Sequence, residues 1–181
     1  MVFYKVVKGM IGMQKKSLNM MKWEIVDFLF VSVVGTLLHF VYDWTGGNAI
    51  AAFFSPINES TWEHLKIFFM PALVFTIIQV ACIGKEVPGL ITIRAKAVLW
   101  GMSFITVFFY TYKGVWGRDV MWLDVLDFYL GAALYSSLIY LRATDEKRNR
   151  CTNGSGIAIF LILLAMFLMF TKVQPDIGLF W

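Results

Sequence analysis

Charged residues are scarce in this sequence, and their scarcity excludes most soluble folds. Of the 181 residues, only 15% are Asp, Glu, Lys or Arg, whereas 59% are apolar and 17% are aromatic. A soluble domain holds about 25% charged and about 45–50% apolar residues. The composition therefore predicts an all-α, polytopic membrane protein whose length allows one compact helix bundle.

Cysteine and histidine are also scarce, with two residues of each. Cys82 and Cys151 show no metal or redox spacing, and both are predicted to face the reducing side of the membrane, so we expect no disulfide. Neither an HExxH motif nor a nucleotide-binding loop occurs. Residues 1–23 lack the apolar core and cleavage site of a signal peptide, so none is expected.

Five apolar segments are long enough to cross a bilayer. They lie near residues 24–44, 60–84, 92–112, 120–141 and 155–172. The intervening GGNAIAAFFSPIN is apolar but too short to cross, which predicts a surface or re-entrant segment. Residues 23–181 are therefore predicted to form a single transmembrane domain.

Basic residues fall mainly on one side of this arrangement. Twelve of the sixteen Lys and Arg residues lie on the side of the N-terminus, so we predict that the N-terminus is cytoplasmic and the C-terminus is outside. The net charge of +4 thus indicates membrane orientation rather than nucleic-acid binding.

The first 22 residues have the pattern of an amphipathic interfacial helix. On a helical projection, their five lysines share one arc of about 120°, opposite Val and Met side chains. These lysines are Lys5, Lys8, Lys15, Lys16 and Lys22. We expect them to contact anionic lipids of the inner leaflet.

Polar residues inside the spans gather at the predicted outer leaflet. In the first span, Ser32, Gly35, Thr36, His39 and Asp43 form one stripe with helical spacing. The stretch SPINESTWEH opens the second span and supplies Glu59, Ser60, Glu63 and His64. Ser55 with Pro56, or Ser60 with Glu63, fits a helix start. The fourth span adds Asp124 and Asp127 at similar depth.

The polar set supports a first hypothesis, a metal-dependent enzyme. Two imidazoles with several carboxylates suit Zn²⁺, Mn²⁺ or Fe²⁺. The predicted ligands are His39, His64, Asp43, Asp124 and Asp127. Glu63 or Glu59 would act as the general base on a metal-bound water, in a hydrolase acting on a lipid or lipid-linked substrate.

Two other hypotheses use the same residues. Carboxylates within the membrane can carry protons, so a proton- or cation-coupled small transporter, including a homo-oligomeric one, is the second hypothesis. Against it, few polar residues are expected in the inner halves of the spans: Asp27 is expected at the interface, and Gln79 between helices. The third is a non-catalytic protein whose polar network fixes helix packing for partner binding.

The motif NES-x-WEHLK at residues 58–66 resembles an uncharacterised family of small multipass membrane proteins. HF-x-YDW at residues 39–44, Pro71 and the acid pair of the fourth span extend the resemblance over most of the chain. The family has a domain-of-unknown-function label and occurs mainly in Gram-positive bacteria and archaea. The resemblance implies a protein of a bacterial-type plasma membrane and implies no activity.

Overall fold

The computed structural model describes residues 2–145 and 152–180, and within the first sixteen residues it describes the side chain of Gln14 alone. These described residues form helices and no strand. The helices are α1 (Val2–Trp44), α2 (Thr61–Ile83), α3 (Leu90–Trp116), α4 (Met121–Thr144) and α5 (Gly154–Phe170). Short 3-10 turns at Ala51–Phe53 and Gly178–Phe180 complete the described elements. The predicted all-helical membrane bundle is confirmed.

Four of the described helical segments are long and apolar enough to cross a membrane. They are Ser17–Trp44, Thr61–Ile83, Leu90–Trp116 and Met121–Thr144. The predicted fifth span corresponds to α5, which is apolar and 17 residues long, at the short end of lengths that can span. Large apolar side chains such as Ile25, Leu29 and Val33 remain exposed, as expected for a surface that faces lipid.

Helix α1 is a single element of 43 residues, so it includes both the predicted interfacial helix and the first span. A helix of this length measures about 65 Å, roughly twice the hydrocarbon thickness of a bilayer. Lys22 is exposed near the start of its membrane-crossing part. The side chains of Lys5, Lys8, Lys15 and Lys16 lie outside the described residues.

The bundle has two chemically different ends. One end carries the exposed side chains of Lys22, Lys85, Lys96 and Arg142, and we call it the basic end. At the opposite end, α1 ends, α2 begins, and both His39 and His64 lie. We call it the histidine end. Helix α1 packs against α2 and α4, and α3 packs against α2, α4 and α5.

The start of α2 differs in detail from the expectation for SPINESTWEH. Ser60 is the N-cap, and its side chain accepts a hydrogen bond from the Glu63 backbone N–H at 3.4 Å. Ser55 does not start this helix. Its hydroxyl instead donates to the Leu38 carbonyl and accepts from the Tyr42 N–H, so that it ties down the end of α1.

The expectation of few polar residues in the inner halves of the spans is wrong. Asp27, which was expected at the interface, is fully buried and forms an ion pair with Arg94 of α3, with 2.9 Å between Nη2 and Oδ2. Arg94 was counted among the cytoplasmic charges, but it is also fully buried. The bundle therefore contains a polar core toward its basic end.

Candidate metal site

Close packing of α1 against α2 positions the two histidines. Pro71 lies inside α2 and cannot donate to the carbonyl of Ile67 one turn earlier. Gly35 of α1 faces that carbonyl: a Cβ atom on Gly35 would lie 2.7 Å from the Ile67 oxygen and 2.6 Å from the Phe128 ring. One helical turn farther toward the histidine end, the same approach brings His39 to His64, with 5.2 Å between ring centroids.

The orientation of His64 is fixed by the first turn of its own helix. Its Nδ1 lies 3.0 Å from the Ser60 carbonyl oxygen, which can only accept a hydrogen bond, so Nδ1 carries a proton. In the neutral ring, Nε2 then presents a lone pair. That Nε2 lies 3.3 Å from Oε2 of Glu59. A nitrogen lone pair that faces a carboxylate oxygen at this distance is an arrangement that a shared metal ion would satisfy.

His39, Glu59 and His64 together form a group that could hold a metal ion. One ligand atom from each residue lies within 4.8 Å of the other two, and no other such group of three His, Cys, Asp or Glu occurs among the described residues. Tetrahedral zinc with bonds of about 2.1 Å needs ligand atoms about 3.4 Å apart. The pair formed by His64 and Glu59 already meets that separation, so a small movement of the three side chains completes the triangle.

The triad is exposed to solvent on one side. The Glu59 side chain is 85% exposed and that of His64 is 34% exposed. Ligands on one side only leave coordination positions for water or substrate, as in catalytic metal sites. The hydrogen bond from His64 to Ser60 is the kind of outer contact that orients metal-bound imidazoles.

The remaining predicted ligands lie outside this triad. Asp43 is exposed in the last turn of α1. Asp124 accepts a hydrogen bond from the Tyr112 hydroxyl. Asp127 is only 2% exposed, and its Oδ1 has no hydrogen-bond partner among the described residues. The structure thus brings together two of the five predicted ligands and adds Glu59, which the sequence placed as a base.

Glu63, the other predicted base, is enclosed next to the triad rather than part of it. Its Oε2 accepts hydrogen bonds from Lys66 Nζ at 2.6 Å and from the Ile57 N–H at 3.1 Å. Both charged side chains are fully buried. Lys66 also donates to the Ala52 carbonyl at 3.0 Å and to the Thr171 hydroxyl at 2.8 Å. The pair therefore joins α2 to the preceding connection and to the residue that follows α5.

A second polar group, missed by the sequence analysis, surrounds Arg94. Its guanidinium donates to Thr76 Oγ1 at 2.7 Å, to Gln79 Oε1 at 2.5 Å and to the Tyr135 hydroxyl, besides its bond with Asp27. Glu24 accepts from Gln79 at 2.8 Å. Glu24 and Asp27 have i, i+3 spacing and lie on the face of α1 that continues to Gly35, and this spacing was the available signal.

Comparisons with known proteins identify a family but no relative of known activity. No curated protein and no solved structure shows significant similarity to the chain. A family model described as "Family of unknown function (DUF6512)" matches residues 13–181. This match confirms the resemblance to an uncharacterised family, and the chain belongs to that family of unknown function, DUF6512.

Proposed function

We propose that this protein is a membrane metalloenzyme that holds one divalent transition-metal ion between His39, His64 and Glu59. The observation that carries the proposal is the pairing of the free His64 Nε2 with Glu59 at 3.3 Å, while Nδ1 is committed to Ser60. His39 completes a set of two imidazoles and one carboxylate, which suits Zn²⁺, Mn²⁺ or Fe²⁺.

Hydrolysis is the chemistry that such a site supports best. Three protein ligands would leave a coordination position for water, and a bound divalent metal would supply the Lewis acid that activates this water for hydrolysis. As a ligand, Glu59 would offset part of the metal charge. Glu63, committed to Lys66, supports the turn that carries Glu59 and His64.

The substrate we propose is a lipid or a lipid-linked molecule. His39 lies one turn before the end of α1, beside the stacked rings of Phe40 and Trp44, which are 44% and 67% exposed. Exposed aromatic side chains at a helix end are typical of the membrane–water interface. A metal at this level would meet the headgroup region of the outer leaflet of a bacterial or archaeal plasma membrane, with Lys22 and the preceding lysines on anionic inner-leaflet lipids.

Metal titration of the purified full-length protein tests the ion site. After chelation and exchange into buffer, calorimetry with Zn²⁺ or Mn²⁺ should give one equivalent per chain. His39→Ala, His64→Ala and Glu59→Gln should each weaken affinity by at least about tenfold, since even outer-shell changes cost that much. Asp43→Asn is the matched control, because Asp43 is an exposed acid on the same helix, outside the triad. Equal affinity in all four variants would refute the site.

Hydrolysis needs a separate measurement. The protein in liposomes would be incubated with a fluorescent phospholipid or a polyprenyl diphosphate, with and without the bound metal. Metal-dependent product release that disappears in His64→Ala supports the enzyme. If metal binds with full stoichiometry and neither substrate class is hydrolysed, the ion site stands and the proposed reaction is wrong.

A further inference from the structure

The polar core around Arg94 contains more acid than base. Glu24 and Asp27 of α1 are 4% and 0% exposed, and both connect to the same arginine, directly or through Gln79. The other hydrogen-bond partners of Arg94, Thr76 and Tyr135, are uncharged polar side chains. Two carboxylates beside one guanidinium would leave a net negative charge inside the bundle, where an uncompensated charge is costly.

Two carboxylate oxygens in this core have no hydrogen-bond partner among the described residues. They are Oε2 of Glu24 and Oδ1 of Asp27. The two residues are neighbours on one face of α1, and their side chains meet the same Gln79–Arg94 pair. Two buried oxygens that both accept and never donate repel each other, whereas one proton between them satisfies both atoms. The same proton also balances the charge of the core against Arg94.

We propose that Glu24 and Asp27 form a proton-binding site that holds one proton between the two carboxyl groups. Arg94 keeps Asp27 in its charged form through a direct ion pair, and Gln79 orients Glu24 as the partner that carries the hydrogen. The ligand of this site is the proton itself, and the site is distinct from the metal triad because it lies toward the basic end.

A cavity lies about one helical turn from this core, toward the basic end of the bundle. It measures about 590 Å³, and its lining includes Met20, Lys22, Ile83 and Glu86. Met20 precedes Glu24 by one helical turn, and Ile83 follows Gln79 by one turn. One turn corresponds to about 5.4 Å, so the cavity approaches the core to about that distance along both helices. The proposal therefore places exchange of the proton at the basic end of the bundle rather than at the histidine end.

Infrared difference spectroscopy on the full-length protein in lipid nanodiscs tests this site. At neutral pH the wild type should show a carbonyl band of a protonated carboxylic acid that shifts in D₂O. Glu24→Gln should remove the band because the amide replaces the acid while keeping the contact with Gln79. Asp27→Asn should also remove it, because Glu24 then ionises to pair with Arg94.

Asp127→Asn is the control, since Asp127 is another buried acid with an unpartnered oxygen but lies on α4. The carbonyl band that disappears in Glu24→Gln should still be present in Asp127→Asn. Retention of the same band in folded Glu24→Gln or Asp27→Asn would overturn the proposal, as would its absence from the wild type. Because Glu24→Gln retains size and hydrogen bonding, its elution as a monodisperse, helical protein would certify folding.

Discussion

His39 and His64 lie on different helices with their ring centroids 5.2 Å apart and their planes inclined by 38°. This proximity depends on backbone contact one turn deeper in the membrane, where Gly35 meets the Ile67 carbonyl that Pro71 leaves without an intrahelical donor. The proximity of the two proposed metal ligands is thus a consequence of how closely α1 approaches α2.

Gly35→Ala should separate those helices. The added Cβ would lie 2.7 Å from a backbone oxygen and 2.6 Å from the Phe128 ring, so the helices must move apart. We expect a loss of about 1–3 kcal/mol in the free energy of unfolding, as for other overpacked cores, and weaker metal binding. Unfolding in mixed micelles and metal titration measure the two effects.

Gly114→Ala is the matched control, because a Cβ at this helical position meets nothing within 4 Å. It should leave metal affinity unchanged and stability equal or slightly higher, since Ala favours helix. Equal metal affinity in Gly35→Ala and wild type would show that helix approach does not set the site.

Arg94→Met should be among the most damaging substitutions in the bundle. It leaves Asp27 buried without its cation, a loss that typically costs about 3–5 kcal/mol. The double variant Asp27→Asn, Arg94→Met should recover part of this loss, because the unpaired charge is removed as well. Unfolding titrations of the single and double variants measure the coupling.

Lys96→Met serves as the control for Arg94→Met, because Lys96 is an exposed basic residue on the same helix. Lys96→Met should change the free energy of unfolding by no more than about 0.5 kcal/mol. Strictly additive losses in the Arg94 and Asp27 variants would contradict a direct ion pair.

Glu63→Gln should separate a structural role from a catalytic one. The substitution leaves Lys66 with an uncharged partner inside the protein, so we expect a lower melting temperature and faster proteolysis of the connection between α1 and α2. Metal affinity should be retained, since Glu63 is outside the triad. Unchanged stability with lost hydrolysis would instead identify Glu63 as the base.

Gly156→Ala should displace α5 from α3. A Cβ on Gly156 would lie 2.5 Å from the backbone of Thr92, which cannot move without disturbing α3. We expect lower thermal stability by scanning fluorimetry. Gly154→Ala, in the same first turn of α5, adds a Cβ with nothing within 4 Å and should be neutral. Identical melting temperatures for the two variants would show that α5 does not dock through this contact.

The helices could be predicted because each span carries its own apolar run. The Ser60 cap could be predicted because Ser followed three residues later by Glu is a local signal of a helix start. The proximity of His39 and His64 was also accessible, because both residues lie near the same end of adjacent helices. Glu59 was predicted to be a base and not a ligand, because its spacing along the sequence does not show which residues of other helices face it.

The core around Arg94 could not be predicted in the same way. Counting basic residues on each side of the membrane treats Arg94 as a charge outside the bilayer, although it begins the second turn of α3. Its partners come from α1, α2 and α4, and which helices are neighbours is a property of the folded bundle. The i, i+3 spacing of Glu24 and Asp27 was an available signal of a polar face, but Asp27 was expected at the interface and the spacing does not identify Arg94 as the partner.

X-ray absorption at the edge of the bound metal tests the central claim most directly. For zinc-loaded protein, we predict scattering from two imidazole rings, together with a carboxylate oxygen and one further oxygen from solvent. His39→Ala should lose one imidazole contribution, and Asp43→Asn should give the spectrum of the wild type. A spectrum with sulfur ligands, or with oxygen alone and no imidazole, would contradict a site formed by His39, His64 and Glu59.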